Sequence, residues 1–157
     1  MAELEQLAVF RLDEQRYAVP LSVVERVVRA AELTSLPKAP AVVLGVVDVG
    51  GRVLPVLNVR RKFNLPEREL RVTDQFLIAR AGRRSVVLVI DEAQRVLEVP
   101  SSEIIVVTEI IPGLEQIKGV AKLRDGLVLI HDLEKFLSLE EERDLDQAIN
   151  EESSLGT

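Results

Sequence analysis

Few residues in this 157-residue chain have the types and spacing that acid–base chemistry requires. His131, the single histidine, stands next to Asp132, and Asp91 stands next to Glu92. Adjacent residues on a strand point to opposite faces, whereas a general acid and a general base must converge on one substrate atom. We therefore interpret His131 as a structural histidine and Asp91-Glu92 as a turn.

The motifs of metal and phosphate chemistry are also missing from the sequence. It contains no cysteine, no G-x-S-x-G elbow, no G-x-G-x-x-G and no G-x-x-x-x-G-K-[ST]. Zinc needs three or four nitrogen, sulfur or oxygen ligands, the G-x-S-x-G elbow presents a nucleophilic serine, and the other two glycine motifs cradle a phosphate. The sequence predicts no catalytic residue, no metal and no cofactor, and it favours a binding protein over an enzyme.

The charge of the chain is concentrated near its C-terminus. The net charge is −6, and Glu134 to Glu152 carry eight acids and two bases, so that residues 1–133 are neutral overall. Nucleic-acid binding, which needs a basic face, is not expected. We interpret the basic run Arg60-Arg61-Lys62 as the solvated face of a short helix that ends near Asn64.

The beginning of the chain and its hydropathy indicate the compartment. The first residues, MAELEQLAVFRLDE, have acids where a signal peptide has basic residues, and no apolar run approaches the ~20 residues that span a bilayer. The absence of cysteine permits a reducing compartment. We expect a cytoplasmic protein with no membrane insertion.

A glycine turn between two apolar runs organises the centre of the chain. Val42 to Val49 and Arg52 to Val59 flank Gly50-Gly51, which predicts a β-hairpin. Because both runs are almost wholly apolar, we expect protein to cover both faces and the hairpin to be central. Pro55 predicts that the second strand is an edge strand or carries a bulge.

The central hairpin recurs later in the sequence. Aligning Gly45 with Gly119 without a gap places Val53 on Leu127, and the turn becomes Asp125-Gly126. A second match, at nearly the same offset, places Val27 on Val96. This weak duplication predicts two similar β units in tandem, with a joint near residues 66–74.

The remaining segments predict short strands and little helix. We expect hairpins at 7–12 with 16–19, at 75–81 with 85–90, and at 116–133, and a single strand at 94–99. The apolar run 104–111, followed by Pro112-Gly113, leads to the last of these hairpins. Ser22 with Glu25 forms a capping box that predicts a helix ending by Arg26, although the valines nearby also fit a continuing strand.

The C-terminal segment is predicted to be helical only at its start. Asp132 can cap a helix in which Leu133, Phe136 and Leu137 share one face. Beyond Leu139 the apolar periodicity is poor, and we expect residues 151–157 to be a disordered acidic tail.

Four stretches resemble the CheW-like adaptors of bacterial chemotaxis, over about residues 7–138. They are VFRLDEQRYAVPLSVVERV, LPKAPAVVLGVVDVGGRVLPVLNVRRKF, VLVIDEAQRVLEV and LVLIHDLEKFL, and the string G-V-x-x-x-x-G-x-x-x-P-V at Gly45 to Val56 is the most specific part. The resemblance implies a mainly β fold, with two tandem, intertwined five-stranded SH3-like β-barrel subdomains, short helices and a C-terminal helix. The whole would be one CheW-like domain over residues 1–150.

The same resemblance implies the function. Such proteins are non-catalytic scaffold adaptors that couple the cytoplasmic tip of a methyl-accepting chemoreceptor to the regulatory domain of a CheA-type histidine kinase. It places partner-binding residues on the first unit and the seam: Val24, Glu25, Arg26, Leu44, Gly45, Asp48, Gly50 and Arg52. The alternative is an SH3-like module that binds a peptide or small ligand in an unrelated or divergent chemosensory pathway.

The sequence departs from the pattern of the family in two places. Relatives usually have V-R-E-V where this chain has Val24-Glu25-Arg26-Val27, and an arginine directly before the turn glycine where this chain has Gly50. Neutral drift and a divergent partner are both consistent with these changes.

Overall fold

The protein consists of two β-sheets, a six-stranded sheet and a five-stranded sheet, which share one chain. A computed structural model describes residues 3–106 and 117–155, with side chains through Glu151. The six-stranded sheet has the order β8-β1-β2-β11-β10-β9 and the five-stranded sheet the order β3-β6-β7-β5-β4. The strands are β1 (Leu4–Leu12), β2 (Gln15–Pro20), β3 (Val24–Arg29), β4 (Val43–Val49), β5 (Arg52–Leu57), β6 (Gln75–Ala81), β7 (Arg84–Ile90), β8 (Glu92–Pro100), β9 (Ile104–Val106), β10 (Ile117–Leu123) and β11 (Gly126–His131).

Helices are short except at the end of the chain. The α-helices are α1 (Val59–Lys62) and α2 (Leu139–Leu155), and single turns of 3₁₀ helix cover Leu21–Val23, Ser101–Glu103 and Leu133–Lys135. In the part of the chain that the structure describes, no helix combines the length and the apolar character needed to cross a membrane.

Each half of the chain contributes its first hairpin to the sheet of the other half. The β1–β2 hairpin pairs with β8 and β11, and the β6–β7 hairpin pairs with β3 and β5. The two exchanges have the same register. Val27 pairs with Leu77 in one, and Val96 pairs with Ala8 in the other. Adding 69 to the residue numbers 27 and 8 gives 96 and 77, so the two pairs are equivalent in the duplication. The predicted duplication is therefore confirmed, and the units are intertwined.

The central hairpin forms where the sequence predicts it but does not occupy the centre of its sheet. β4 is an edge strand, and β5 lies between β4 and β7. The prediction of an edge strand or a bulge at Pro55 is wrong, because the register shift lies in β4, between Val43 and Gly45. Pro55 is tolerated beside β7 because the parallel pairing of β5 with β7 begins only at Val56.

The segment after Pro20 forms a strand, so the prediction of a capped helix there is wrong. Leu21–Val23 is one turn of 3₁₀ helix without a side-chain cap, and β3 begins at Val24. The pairing of β3 with β6 outweighs the local capping signal of Ser22 and Glu25, and the alternative of a continuing strand is correct.

The buried side chains form three groups, one within each sheet and one between the two sheets. Leu7, Ala18, Val128 and Ile130 belong to the core of the six-stranded sheet. The core of the five-stranded sheet contains Val47, Leu54, Val56, Phe76 and Ile78. The largest group joins the sheets and includes Phe10, Tyr17, Leu57, Leu77 and Phe136. This third group is the seam of the fold.

The C-terminal helix packs against the seam, contrary to the expected loss of structure beyond Leu139. Ser138 and Glu141 form a capping box, in which the Glu141 N–H donates to Ser138 Oγ and the Ser138 N–H donates to Glu141 Oε1. Leu145 is buried in the same group as Phe136, Ile149 packs against that group, and Ala148 is also buried. The helix continues through Glu151, where a disordered tail was expected, and residues 156–157 lie outside the described residues.

The apolar run 104–111 is described only in part. Its first residues, Ile104–Val106, form β9. The rest of the run, Pro112-Gly113 and Gln116 lie outside the described residues.

Candidate partner-binding surface

The curling of the five-stranded sheet brings β3 next to the β4–β5 turn. β3 and β4 are opposite edges of that sheet. Nevertheless, the Glu25 carboxylate lies 3.5 Å from the Arg52 guanidinium, and Arg26 Nη2 lies 3.7 Å from the position that a Cβ at residue 50 would occupy. Four predicted site residues therefore form one surface, which together with Asp48 we call the turn surface.

The glycine turn has a backbone that favours glycine at both positions. Gly50 has φ 59° and Gly51 has φ 88°, which is the left-handed region, as in hairpin turns of two residues. The Gly51 N–H donates to Asp48 Oδ1 at 2.8 Å. Asp48 thus stabilises the turn and has one carboxylate oxygen engaged.

Arg52 is held by two partners, Ser85 on the neighbouring strand β7 and Glu25 on the edge strand β3. Its guanidinium donates to Ser85 Oγ at 2.6 Å and lies within ion-pair distance of Glu25. Both contacts lie on the protein surface, where such pairs contribute little to stability. The two contacts fix the direction of the Arg52 side chain, and the Glu25 carboxylate offsets its charge.

The other three predicted site residues have different surroundings. Val24 is half-buried and packs against the seam. Leu44 is exposed at the register shift of β4 and lines a cleft instead of the turn surface. Gly45 is buried, and a Cβ there would lie 2.6 Å from Thr34 O, closer than real Cβ contacts allow.

The same close approach occurs in the second unit. A Cβ at Gly119, the residue aligned with Gly45, would lie 2.8 Å from Ile104 Cγ2 and 3.0 Å from Ile105 O. Since both glycines admit a neighbouring segment, their common role is structural.

The cleft beside Leu44 has a volume of about 480 Å³. Its apolar side includes Leu33, Leu44, Leu70 and Val89, and its polar side includes Arg60, Arg68 and Asp74. Both arginines are engaged in ion pairs, so the cleft offers no unpaired cation from these two side chains.

A partly buried ion network forms the polar side of this cleft and extends beyond it. Asp91 Oδ1 accepts from both Arg60 and Arg68 at 2.8 Å, Arg60 also binds Asp13, and Arg68 binds Asp74 through two nitrogens. Burial alone would raise the pKa of Asp91, but the Asp13 N–H and the Arg60 guanidinium more than offset it, and the pKa is lowered. The network joins the β1–β2 turn, α1, the joint and the end of β7.

Two interpretations of charged residues are corrected by this network. Arg60 is buried and paired, so the basic run is not a solvated face throughout. Asp91 does follow β7 at a bend, yet its carboxylate is the centre of an ionic cluster. The residues next to Arg60 and Asp91 in the sequence do not indicate these roles, because the ion-pair partners of both residues lie elsewhere along the chain.

His131 is a buried aromatic packing residue. Its ring stacks on Phe63, with the centroids 3.9 Å apart, and neither ring nitrogen has a hydrogen-bond partner among the described residues. Burial lowers its pKa to about 3. A neutral, enclosed imidazole of this kind reaches no substrate, which agrees with the structural interpretation.

Within residues 3–106 and 117–155, no group of three or more histidine, aspartate or glutamate side chains is arranged to hold a metal ion. The ionic clusters found there consist of carboxylates paired with arginines, in which the positive charge comes from the protein itself.

The two sheets expose apolar side chains at equivalent positions. Val27 and Val96, aligned in the duplication, are 39% and 50% exposed, and the aligned pair Val53 and Leu127 are 65% and 49% exposed. Sequence reasoning aligned these residues without recognising them as surface positions. The signal that could have found Val53 and Leu127 is the apolar residue that closely follows each glycine-containing hairpin turn, Gly50-Gly51 and Asp125-Gly126.

Comparison with known proteins identifies the family. The model of the CheW-like domain matches residues 6–148. The chain belongs to the CheW-like family. It is 27% identical over 142 residues to the chemotaxis protein CheW of Treponema pallidum, covering 87% of this chain and 84% of that protein. It is 26% identical over 136 residues to CheW of Helicobacter pylori, covering 86% and 82%.

A solved structure of a CheW protein has the same fold. The crystal structure of the scaffolding protein CheW from Thermoanaerobacter tengcongensis superposes with a TM-score of 0.80 at 20% identity, covering 90% of this chain and 96% of that one. The predicted family and the mainly β fold are confirmed, although one sheet has six strands where five were expected. Membership in the family also confirms the predicted class, a non-catalytic chemotaxis coupling adaptor.

Proposed function

We propose that this protein joins the cytoplasmic tip of a methyl-accepting chemoreceptor to the regulatory domain of a CheA-type histidine kinase, in the cytoplasm. One observation carries the proposal: both sheets expose apolar side chains at equivalent positions, Val27 with Val53 and Val96 with Leu127. An adaptor needs two surfaces that can be occupied at the same time. The duplicated fold supplies one on each sheet.

The turn surface supports an assignment of the receptor to the five-stranded sheet. It combines the exposed Val53 with the charged side chains of Glu25, Arg26 and Arg52. Interfaces commonly surround an apolar centre with polar groups that set orientation and specificity. The equivalent surface on the six-stranded sheet, at Val96 and Leu127, is then assigned to the kinase.

The binary interactions can be tested by pull-down. A chemoreceptor tip fragment and a CheA-type regulatory domain, both encoded in the genome that encodes this chain, are immobilised separately, and the purified protein is passed over each. We expect retention on both baits. Retention on neither would contradict the proposal.

The cleft of about 480 Å³ favours a second candidate function, binding of a peptide or small ligand in an unrelated or divergent pathway. Its apolar side, with Leu33 and Leu44, could enclose one or two apolar side chains. Substituting Leu44→Ser distinguishes the two functions, because it alters the cleft and leaves Val53 and Leu127 in place. Unchanged retention on both baits by this variant would favour the adaptor.

A further inference from the structure

Arg26 presents an unpaired positive charge above the bare glycine turn. The residue is exposed, and it makes no hydrogen bond or ion pair with the residues that the structure describes. Its Nη2 atom lies 3.7 Å from the place where a Cβ at Gly50 would be. A guanidinium from β3 thus stands close to where a side chain of the turn would begin.

The charges around Arg26 are already engaged. Glu25 is within ion-pair distance of Arg52, which also donates to Ser85, and Asp48 accepts from the Gly51 N–H. Of the charged side chains on the turn surface, Arg26 alone therefore remains without a partner among the described residues. An arginine in this state offers several N–H donors in a planar arrangement that matches a carboxylate.

Gly50 makes this arrangement possible. It has φ 59° and no side chain, so the guanidinium can approach the turn without obstruction. Any larger side chain at this position would begin 3.7 Å from Arg26 Nη2 and compete for the same space. The two departures from the family pattern, at Arg26 and Gly50, therefore lie side by side on the turn surface.

We infer that Arg26 is the specificity-determining residue of the turn surface, and that it binds a carboxylate on the chemoreceptor tip. This inference depends on the proposed function, because it names the chemistry of the receptor contact. β3 is paired with β6 along its length, so it supplies the cation from a fixed strand. A partner with a lysine or arginine opposite this point is rejected by repulsion between like charges.

The test compares three variants for binding to the immobilised receptor tip fragment. Arg26→Gln removes the charge, and we expect affinity to fall about two- to fivefold, as for an exposed charge pair, with a weaker dependence on salt. Arg29→Gln is the matched control, since it removes an exposed arginine from the same strand, three positions away, and should leave affinity unchanged.

The third variant is the double substitution Arg26→Gln with Gly50→Arg. It returns a guanidinium to the same place from the turn, so we expect affinity and salt dependence to recover at least in part. A non-glycine residue with positive φ is strained, so a melting curve accompanies each affinity, and only variants that are folded at the assay temperature are compared.

The outcomes separate this inference from the proposed function. If the wild type is retained by neither bait, the proposed function fails. If the wild type binds the receptor fragment and Arg26→Gln binds as tightly, or if Arg29→Gln loses as much affinity as Arg26→Gln, the proposed function stands and the role of Arg26 is overturned. Selective loss in Arg26→Gln with recovery in the double variant supports the inference.

Discussion

At the scale of single residues, the distant partners of charged and aromatic side chains decide their roles. Asp91 was interpreted as part of a turn and His131 as structural, and both stand next to another titratable residue in the sequence. The structure places Asp91 between two arginines and His131 against Phe63. Sequence spacing excluded catalysis by these pairs but could not supply the partners, which lie elsewhere along the chain.

Asp91→Asn should destabilise the fold by about 3 kcal/mol, because removing one member of a buried ion pair leaves its partners with uncompensated charge. Arg60 and Arg68 would each lose the ion pair with this carboxylate. Urea denaturation measures the free energy of unfolding. Asp144→Asn, an exposed position on α2, is the control and should change it by less than about 0.5 kcal/mol. Equal stability of the two variants would contradict a structural network.

His131 should make the protein less stable as pH falls from about 6.5 toward 5. Its pKa is about 3 when folded, below its ordinary value of 6.5, so the unfolded chain binds more protons in this range. Stability then rises with pH, by up to about 1.4 kcal/mol per pH unit below 6.5. The carboxylates with lowered pKa, such as Asp91, titrate below this window.

The measurement is the free energy of unfolding between pH 8 and pH 5. His131→Phe, which keeps an aromatic ring beside Phe63, should remove most of the decline. A wild type whose stability is flat over this range would show that His131 is accessible to protons in the folded state.

At the scale of elements, local sequence predicted strands well and the helices poorly. Glycine turns between β-branched runs are a strong local signal for hairpins, and the four main hairpins occur within a few residues of their predicted positions. The helix that Asp132 was predicted to cap is a single turn of 3₁₀ helix, Leu133–Lys135. The extent of the C-terminal helix beyond Leu139 was not predicted, because only Leu145, Ala148 and Ile149 carry its apolar face and acidic residues surround them. The helix near Ser22 was predicted wrongly because strand pairing outweighed a local cap.

Leu145→Ala should cost about 2–4 kcal/mol of stability, since Leu145 is fully buried in the seam. Truncation after Leu139 should therefore lower the melting temperature clearly, in contrast to the small effect expected for a disordered tail. Leu139→Ala is the control, because Leu139 is largely exposed. Thermal unfolding that leaves the Leu145 variant unchanged would mean that α2 does not dock on the seam.

Gly45→Ala should lower the free energy of unfolding rather than act directly on partner binding, because its Cβ would lie 2.6 Å from Thr34 O. Gly51→Ala is the comparison, since its added Cβ would meet nothing within 4 Å and only the strain of φ 88° remains. Chemical denaturation of both variants separates steric displacement from backbone strain. A Gly45→Ala variant that has normal stability but does not bind the receptor fragment or the kinase domain would show that Gly45 belongs to the partner-binding surface.

At the scale of the whole molecule, the fold is a duplication in which each unit completes the other. Periodicity in the sequence finds strands but does not say which sheet receives them, so the exchange of the β1–β2 and β6–β7 hairpins could not be derived from residue patterns. The resemblance to CheW-like adaptors implied intertwining, and the equal shift of 69 positions in the two exchanges confirms it. Of the predicted site, the turn surface assembles, whereas Leu44 and Gly45 lie elsewhere.

The most direct test of the adaptor account is the mass of the complex formed with both partners together. Light scattering on a sizing column, with the receptor tip fragment and the kinase regulatory domain added to the protein, should detect a species that contains all three. Val53→Glu should remove the receptor fragment from it and keep the kinase domain, and Leu127→Glu should do the reverse, while Val72→Glu, in the exposed joint, should change nothing. Mutually exclusive binding of the two partners to the wild type, with no ternary species at any ratio, would contradict the account.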